Sequence, residues 1–334
     1  MKILVTGGCG FVGSNLAIYL KNNKIATTIN TLDKFRRRGS FLNLGRLKKN
    51  KIKNFKKDIS SYNGLKNLPK YDLIVDCCAE SAVEESKKKT DKVFNTNLVG
   101  TFNILKKCAK DKSNFIFLSS SRVYSIEKLR KIKKNKFVVN EKFDTFGPKS
   151  IYGFTKYSSE HLIREFSFLY KIKYIINRLG VISGPWQFGK QDQGFVSLWV
   201  WKHMNRKKLS YIGFGGKGLQ IRDVVHITDV CKLISKQIKK INSINNLTLN
   251  AGGGKKNVIS LEGLTKICQK ITSNRIKIFS KKATSEYDIP YYVTDNSRVK
   301  KIYNWNPEKK ISEIVKDIYK WMFSNKKVLK KYII

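Results

Sequence analysis

A chain of 334 residues with 41% hydrophobic and 12% aromatic residues has enough apolar material for a buried core, at roughly 150 residues per domain, which excludes a disordered tail or a disulfide-stapled miniature. Lys and Arg outnumber Asp and Glu by 68 to 24, a formal charge of +44, but the lysines are spread along the whole chain without interleaved aromatics, so nucleic acid is not an expected partner. No apolar run approaches the ~20 residues of a membrane span and no signal peptide opens the chain, so no membrane is expected and the location read is cytoplasmic. Six scattered cysteines form no C-x-x-C and only three histidines accompany them; neither a disulfide framework nor a metal site is expected.

In chain order, strands are predicted over 2–6, 28–33, 52–57, 72–78, 114–119 and 173–179, with amphipathic helical stretches over 11–22, 90–111 and 152–170 between them. This βαβαβ alternation predicts an α/β, Rossmann-type doubly wound parallel sheet. The lysine-rich stretch 125–150 breaks the pattern and reads as a long loop over the site, or as a solvated insertion. Past residue 179 the elements shorten, as suits a smaller C-terminal α/β domain, and a last helix is expected over 311–323. The domains so read are 1–178, with 223–250 returning to it, and 179–222 with 251–334.

The first strand runs into Thr6-Gly-Gly-Cys-Gly-Phe-Val-Gly13. Gly7 allows a tight turn, Gly10 allows close backbone approach to a pyrophosphate, and Gly13 allows close packing of helix on strand, with phosphate charge at the helix N-terminus. Asp33 closes the second strand twenty residues past Gly13, the spacing at which a carboxylate accepts from ribose hydroxyls. It would repel a 2′-phosphate, so NAD is read over NADP, although Arg36, Arg37 and Arg38 just beyond could hold such a phosphate.

Tyr152 and Lys156 are four apart on one helix face. A phenol titrates near 10, and an adjacent ammonium favours its ionised form, which makes a usable base. The fifth strand ends in Ser119-Ser120-Ser121, where a hydroxyl can bond the same substrate oxygen.

The segments TGGCGFVG, SSSRVY and YGFTK together resemble the extended short-chain dehydrogenase/reductase family of nucleotide-sugar enzymes over essentially the whole chain. The resemblance implies a catalytic trio of Ser120, Tyr152 and Lys156, with Ser119 as the other choice for the serine. It implies a cofactor site of Gly7, Gly10, Phe11, Val12, Gly13, Asp33, Lys34, Asp58 and Ile59 at the adenine, Cys78, Ala79 and Asn97, with Tyr152 and Lys156. It implies substrate contacts from Glu80, Ser121, Arg122, Gln193, Gly194, Arg222 and Asp288. Relatives pair helices equivalent to 90–111 and 152–170 between subunits, so a homodimer is expected, with Leu98, Phe102, Leu105, Leu162 and Phe166 available to it.

Two further segments, 33–44 and 184–196, resemble those of CDP-paratose 2-epimerases, which implies epimerisation of a CDP-sugar by hydride removal and return. Ser121 and Arg122 stand where dehydratases of the family carry Asp-Glu, which argues against dehydration; a UDP-glucose 4-epimerase-like enzyme or a nucleotide-sugar reductase or dehydrogenase is the alternative. Departures from the branch are Trp186 for an arginine, Asp76 for a histidine, Glu80 for a glutamine, and Ser285 for an arginine whose place Lys281 or Lys282 could take.

Overall fold

Ile3, Leu4 and Val5 are fully buried, so the first strand carries apolar side chains on both faces, as a parallel strand covered by helices must. The computed structural model describes residues 1–37, 39–81, 89–132, 137–189 and 194–332, and they separate into two units. Arg38 and Gln193, both singled out from the sequence, lie outside the described residues.

The first unit comprises Met1–Val123, Ser150–Leu179 and Cys231–Leu249. Its strands are β1 (Lys2–Thr6), β2 (Thr28–Leu32), β3 (Lys53–Phe55), β4 (Leu73–Asp76), β5 (Asn114–Ser120) and β6 (Tyr174–Leu179). They pair in parallel in the order β3-β2-β1-β4-β5-β6. A later strand, Leu247–Ala251, completes the sheet beside β6. The order reverses between β1 and β4, and the loops leaving those two strands open the crevice where a ligand binds such a sheet.

Helix α1 (Phe11–Asn22) starts immediately after the glycine loop, and α2 (Ser40–Lys49) packs against it. The predicted helix 90–111 is interrupted: α3 (Thr90–Phe94) passes through a π-helical turn, Asn95–Val99, into α4 (Gly100–Asp111). The wide turn coincides with Asn97, whose side chain is committed to contacts outside the helix, as is common at such bulges. Gly100 lets this helix close on the unit, since a Cβ there would lie 2.6 Å from Ile59 Cδ1.

The second unit comprises Tyr124–Lys149, Gly180–Val230 and Asn250–Ile334. Around its strand Ile221–His226 are paired Val181–Ser183, Val258–Ser260 and Tyr291–Tyr292. The helix Phe195–Met204 packs on Leu261–Thr272 and Ile311–Ser324, burying Trp201, Leu264, Ile314 and Ile318.

This division differs from the sequence reading at two places. Segment 124–149 belongs to the second unit and is no solvated insertion. Ile126, Leu129 and Val139 are buried among its lysines, a short helix Ile126–Arg130 is capped by Ser125, and Tyr124 Oη donates to Asn250 Oδ1 at 2.6 Å. Residues 223–230 fall with the second unit, where 223–226 complete the strand Ile221–His226 that its other strands pair with. No helix among the described residues is long and apolar enough to cross a membrane.

Candidate active site

The glycine loop is shaped by its lack of side chains. Gly7 has φ of +60°, and a Cβ there would sit 2.9 Å from the carbonyl of Cys77; at Gly13 it would sit 2.3 Å from the Gly7 carbonyl. The loop therefore lies directly on the chain leaving β4 while α1 starts tight against it. The first amides of α1, at Phe11 and Val12, have no partner within the helix and carry the positive end of its dipole.

Asp33 follows β2. One carboxylate oxygen accepts from Cys9 N at 3.1 Å and the other from Phe35 N at 2.7 Å. Burial pushes its carboxyl up, against the pull of those amides and of Arg37 and Lys34. Lys34 pairs with Asp58 at 2.7 Å. Burial raises the Asp58 carboxyl, but Lys34 and Ser60 outweigh it, leaving it below the ordinary range. Ile59 is buried in the core and its carbonyl accepts from Asn103 Nδ2 at 3.0 Å.

Asp76, fully buried at the end of β4, accepts from the Thr6 hydroxyl, from Thr101 Oγ1 at 3.1 Å and from Cys78 N at 3.2 Å. It ties the ends of β1 and β4 to α4. Asn97 holds the next stretch by accepting from Glu80 N at 2.8 Å and donating to Glu80 O at 3.1 Å. Its amide also donates to Thr155 Oγ1 at 3.2 Å. The Glu80 carboxylate is occupied by Lys92 at 3.0 Å and Arg37 at 3.8 Å, and Arg37 donates to Ala79 O at 3.4 Å.

The helix α5 (Ile151–Tyr170) is capped by the Ser150 hydroxyl, which accepts from Gly153 N. Tyr152, Lys156 and Glu160 repeat every four residues on one of its faces. Lys156 is 2% exposed. Its ammonium donates to the Leu118 carbonyl at 2.9 Å and stands 4.3 Å from the centre of the Phe117 ring. Its remaining N–H bonds are those an ammonium can offer a ligand.

The serines at the end of β5 have different surroundings. Ser119 donates to Glu160 Oε1 at 2.6 Å. Arg178, its neighbour across the β5–β6 register, donates to the same carboxylate at 2.7–3.2 Å. Ser120 Oγ accepts from Arg122 N at 3.2 Å, and the turn Ser121–Val123 packs against α5.

In the second unit, Gly194 has φ of +74° and precedes the helix Phe195–Met204. Arg222 and Asp288, each expected at substrate, pair with each other at 2.8 Å, and Arg222 also donates to Ile289 O and Ile221 O, each at 2.7 Å. Lys281 and Lys282 are exposed. The arginine that meets the turn at Ser285 is Arg130, which donates to the carbonyls of Ser285, Glu286 and Asp288 at 2.9–3.1 Å. Trp186 packs on Trp321 with ring centres 5.5 Å apart.

Residues 3–252 match the model of the NAD dependent epimerase/dehydratase family. The chain belongs to that family. It is 27% identical to the CDP-paratose 2-epimerase of Salmonella typhi over 97% of its own length and 100% of that protein. It is equally, 27%, identical to the UDP-glucuronate 4-epimerase of Thermodesulfobacterium geofontis, covering 98% of each chain, and 26% identical to a dTDP-glucose 4,6-dehydratase of Escherichia coli, covering 98% of this chain and 94% of that one. Among solved structures, the Thermotoga maritima UDP-glucose 4-epimerase with UDP-glucose superposes with a TM-score of 0.85 at 23% identity, over 97% of this chain and 99% of that one.

The enzyme is thus a nucleotide-sugar epimerase/dehydratase of this NAD-dependent family, and its first unit fits the cofactor: a loop with no room for side chains, a helix N-terminus and an acceptor at the end of β2 are what a dinucleotide needs. Sequence reasoning missed Asp76 as a binder of β1, β4 and α4, and missed Glu160 with Arg178. A lone arginine inside the apolar strand YIINRL was the available signal for a buried partner.

Proposed function

We propose that this family member is a nucleotide-sugar 2-epimerase acting on CDP-paratose or a closely similar CDP-sugar. Tyr152 takes the hydroxyl proton of the sugar carbinol and returns it after the keto-sugar has presented its other face. Lys156 stabilises the charge left on the phenol oxygen, and Ser120 donates to the sugar oxygen that loses the proton. When bound, NAD supplies the reversible hydride acceptor, and net redox is nil.

The observation that supports proton and hydride exchange at a carbinol is the placement of Lys156, buried on the Tyr152 face of α5 and anchored to the last strand residues before Ser120. Ser121 and Arg122 follow, leaving the acid–base pair of a dehydratase without a counterpart. The choice of sugar rests on the full-length likeness to CDP-paratose 2-epimerase and on segment 184–196. Arg222, Asp288 and Gly194 are read as nucleotide-side contacts, Gln193 with them. Product of such a reaction suits lipopolysaccharide O-antigen biosynthesis, and NAD and nucleotide sugars suit a cytoplasmic enzyme.

Incubation with CDP-paratose tests the proposal. Inversion at C2 without net change in nicotinamide absorbance is expected. Inversion of UDP-glucose at C4 with no C2 activity overturns the sugar assignment, and stoichiometric NADH formation or consumption overturns the epimerase in favour of a reductase.

A homodimer through α3–α4 and α5 is part of this reading. Phe94, Phe102 and Phe154 on these helices are 38–47% exposed. Leu105 and Phe166, expected at the interface, are instead buried inside the first unit, where one face of each helix covers the sheet.

A further inference from the structure

We propose that the segment Asp33–Arg46 is a brace that governs how tightly the dinucleotide is retained, with Asn43 its main contact; the proposal rests on reading Gly7–Gly13 as the dinucleotide loop. Cys9 stands in the middle of that loop. Its N–H is taken by Asp33 Oδ2 at 3.1 Å, and its carbonyl accepts from Asn43 Nδ2, also at 3.1 Å. Both Cys9 and Asn43 are 1% exposed, so water does not substitute for either bond.

The direction of the Asn43 amide is fixed by Arg46, which donates to Asn43 Oδ1 at 3.0 Å. The amide nitrogen must then face Cys9. The same guanidinium donates to Ser14 Oγ at 3.3 Å and Asn15 Oδ1 at 2.9 Å in the first turns of α1. The loop peptide is held from both sides, and so is the helix whose N-terminal amides follow it.

A second arm reaches the other loop of the crevice. Arg37 donates to Ala79 O at 3.4 Å and Ser81 Oγ at 3.3 Å, beyond β4. One stretch of chain after β2 therefore grips the loops leaving both β1 and β4. Asp33, Arg37 and Asn43 belong to the segment that resembles CDP-paratose 2-epimerases, and they reach the loops after β1 and β4, the pair of Arg37 with Glu80 at 3.8 Å included. An epimerase with no net redox regains its starting cofactor at every turnover and has no use for releasing it. In this enzyme the 33–44 likeness then speaks of retention, and sugar preference falls to 184–196.

The test loads the purified enzyme with radiolabelled NAD, chases with unlabelled NAD and follows release by rapid gel filtration. Asn43→Asp keeps the side-chain size and the Arg46 contact but sets an acceptor against the Cys9 carbonyl. Release about tenfold faster is expected, the scale of a buried carbonyl losing its donor. Affinity for CDP, measured by calorimetry, should stay within about twofold, since residue 43 is not among the residues read as nucleotide contacts. Wild-type release from folded N43D overturns the brace, as does a fall in CDP affinity as large as the gain in release rate. Should N43D not fold, Arg37→Gln on its half-exposed side chain decides: about threefold faster release is expected from losing its long contacts with Ala79 O, Ser81 Oγ and Glu80, and wild-type release overturns the proposal. Gly10→Val separates the underlying reading, because full NAD retention in that variant would refute the loop itself.

Discussion

Replacing Ser119 and Ser120 separately by alanine should give opposite phenotypes. In Ser119→Ala the Glu160 carboxylate loses the hydroxyl at 2.6 Å but keeps Arg178 at 2.7–3.2 Å. Glu160 is fully buried, so the lost donor is not replaced by water, and a hydrogen bond to a buried charge is worth about 1.5–3 kcal/mol. At about 2–4 °C per kcal/mol for a chain somewhat smaller than this one, Tm should fall by roughly 3–10 °C. Turnover should change by less than about threefold, since the carboxylate and its guanidinium still hold α5 against β6. Among the described residues Ser120→Ala loses only a contact with Arg122 N, so its Tm should stay within about 2 °C. Its kcat should fall about five- to tenfold, the value of one hydrogen bond to an oxygen that gains charge. Thermal melts and single-substrate kinetics on both variants, with NAD content checked, measure the contrast. A crippled Ser119→Ala of normal Tm beside a normal Ser120→Ala would show that the assignment along this strand end is wrong by one residue.

Tyr152→Phe should retain NAD on gel filtration yet lose at least about 10²-fold in turnover, the lower range for acid–base catalysis. Lys156→Ala should lose both turnover and NAD, because its buried ammonium is expected to hold the cofactor ribose as well as the phenol; unchanged NAD content would contradict that double role. All three histidines are pushed below their ordinary 6.5, by burial first in each case. The folded chain therefore binds fewer protons than the unfolded chain below that pH, so their contribution to stability is complete above about 6.5 and lost as pH falls toward the folded values. Urea midpoints should drop from about pH 7.5 to 5.5, and less so in His203→Gln; equal slopes would refute the assignment. Phe102→Glu should convert a dimer to a monomer by light scattering, with the melt little changed; a wild-type enzyme that is monomeric at physiological salt removes the dimer altogether.

What the sequence made legible was local. The glycine loop, helix 11–22 and helix 311–323 depend on neighbours a few residues apart, and the structure reproduces them nearly to the residue, while the short helix Lys326–Leu329 beyond them was not read. Segment 125–150 misled because its lysines obscure three buried apolar residues whose partners lie more than a hundred positions away, as Val139 does with Thr294. Which serine faces the helix was also not legible. Strand pleating turns Ser119 and Ser120 opposite ways, but only the position of Glu160 tells which way is which. The pairing of Arg222 with Asp288 spans 66 residues, and each alone read as a substrate contact.

The π-helical turn at Asn95–Val99 makes chain length here a constraint in its own right. It holds one residue more than an α-helical turn would. Winding the same five residues as regular α-helix would rotate α3 by about one residue's turn, about 100°, against α4. Asn97 would leave its place between Glu80 and Thr155 although no residue of the site had been changed. The extra residue is what gives Asn97 its place while α3 and α4 keep their faces, so a homologue with a one-residue gap in 95–99 would keep both helix faces and lose the bulge, and must hold the stretch after β4 by another side chain.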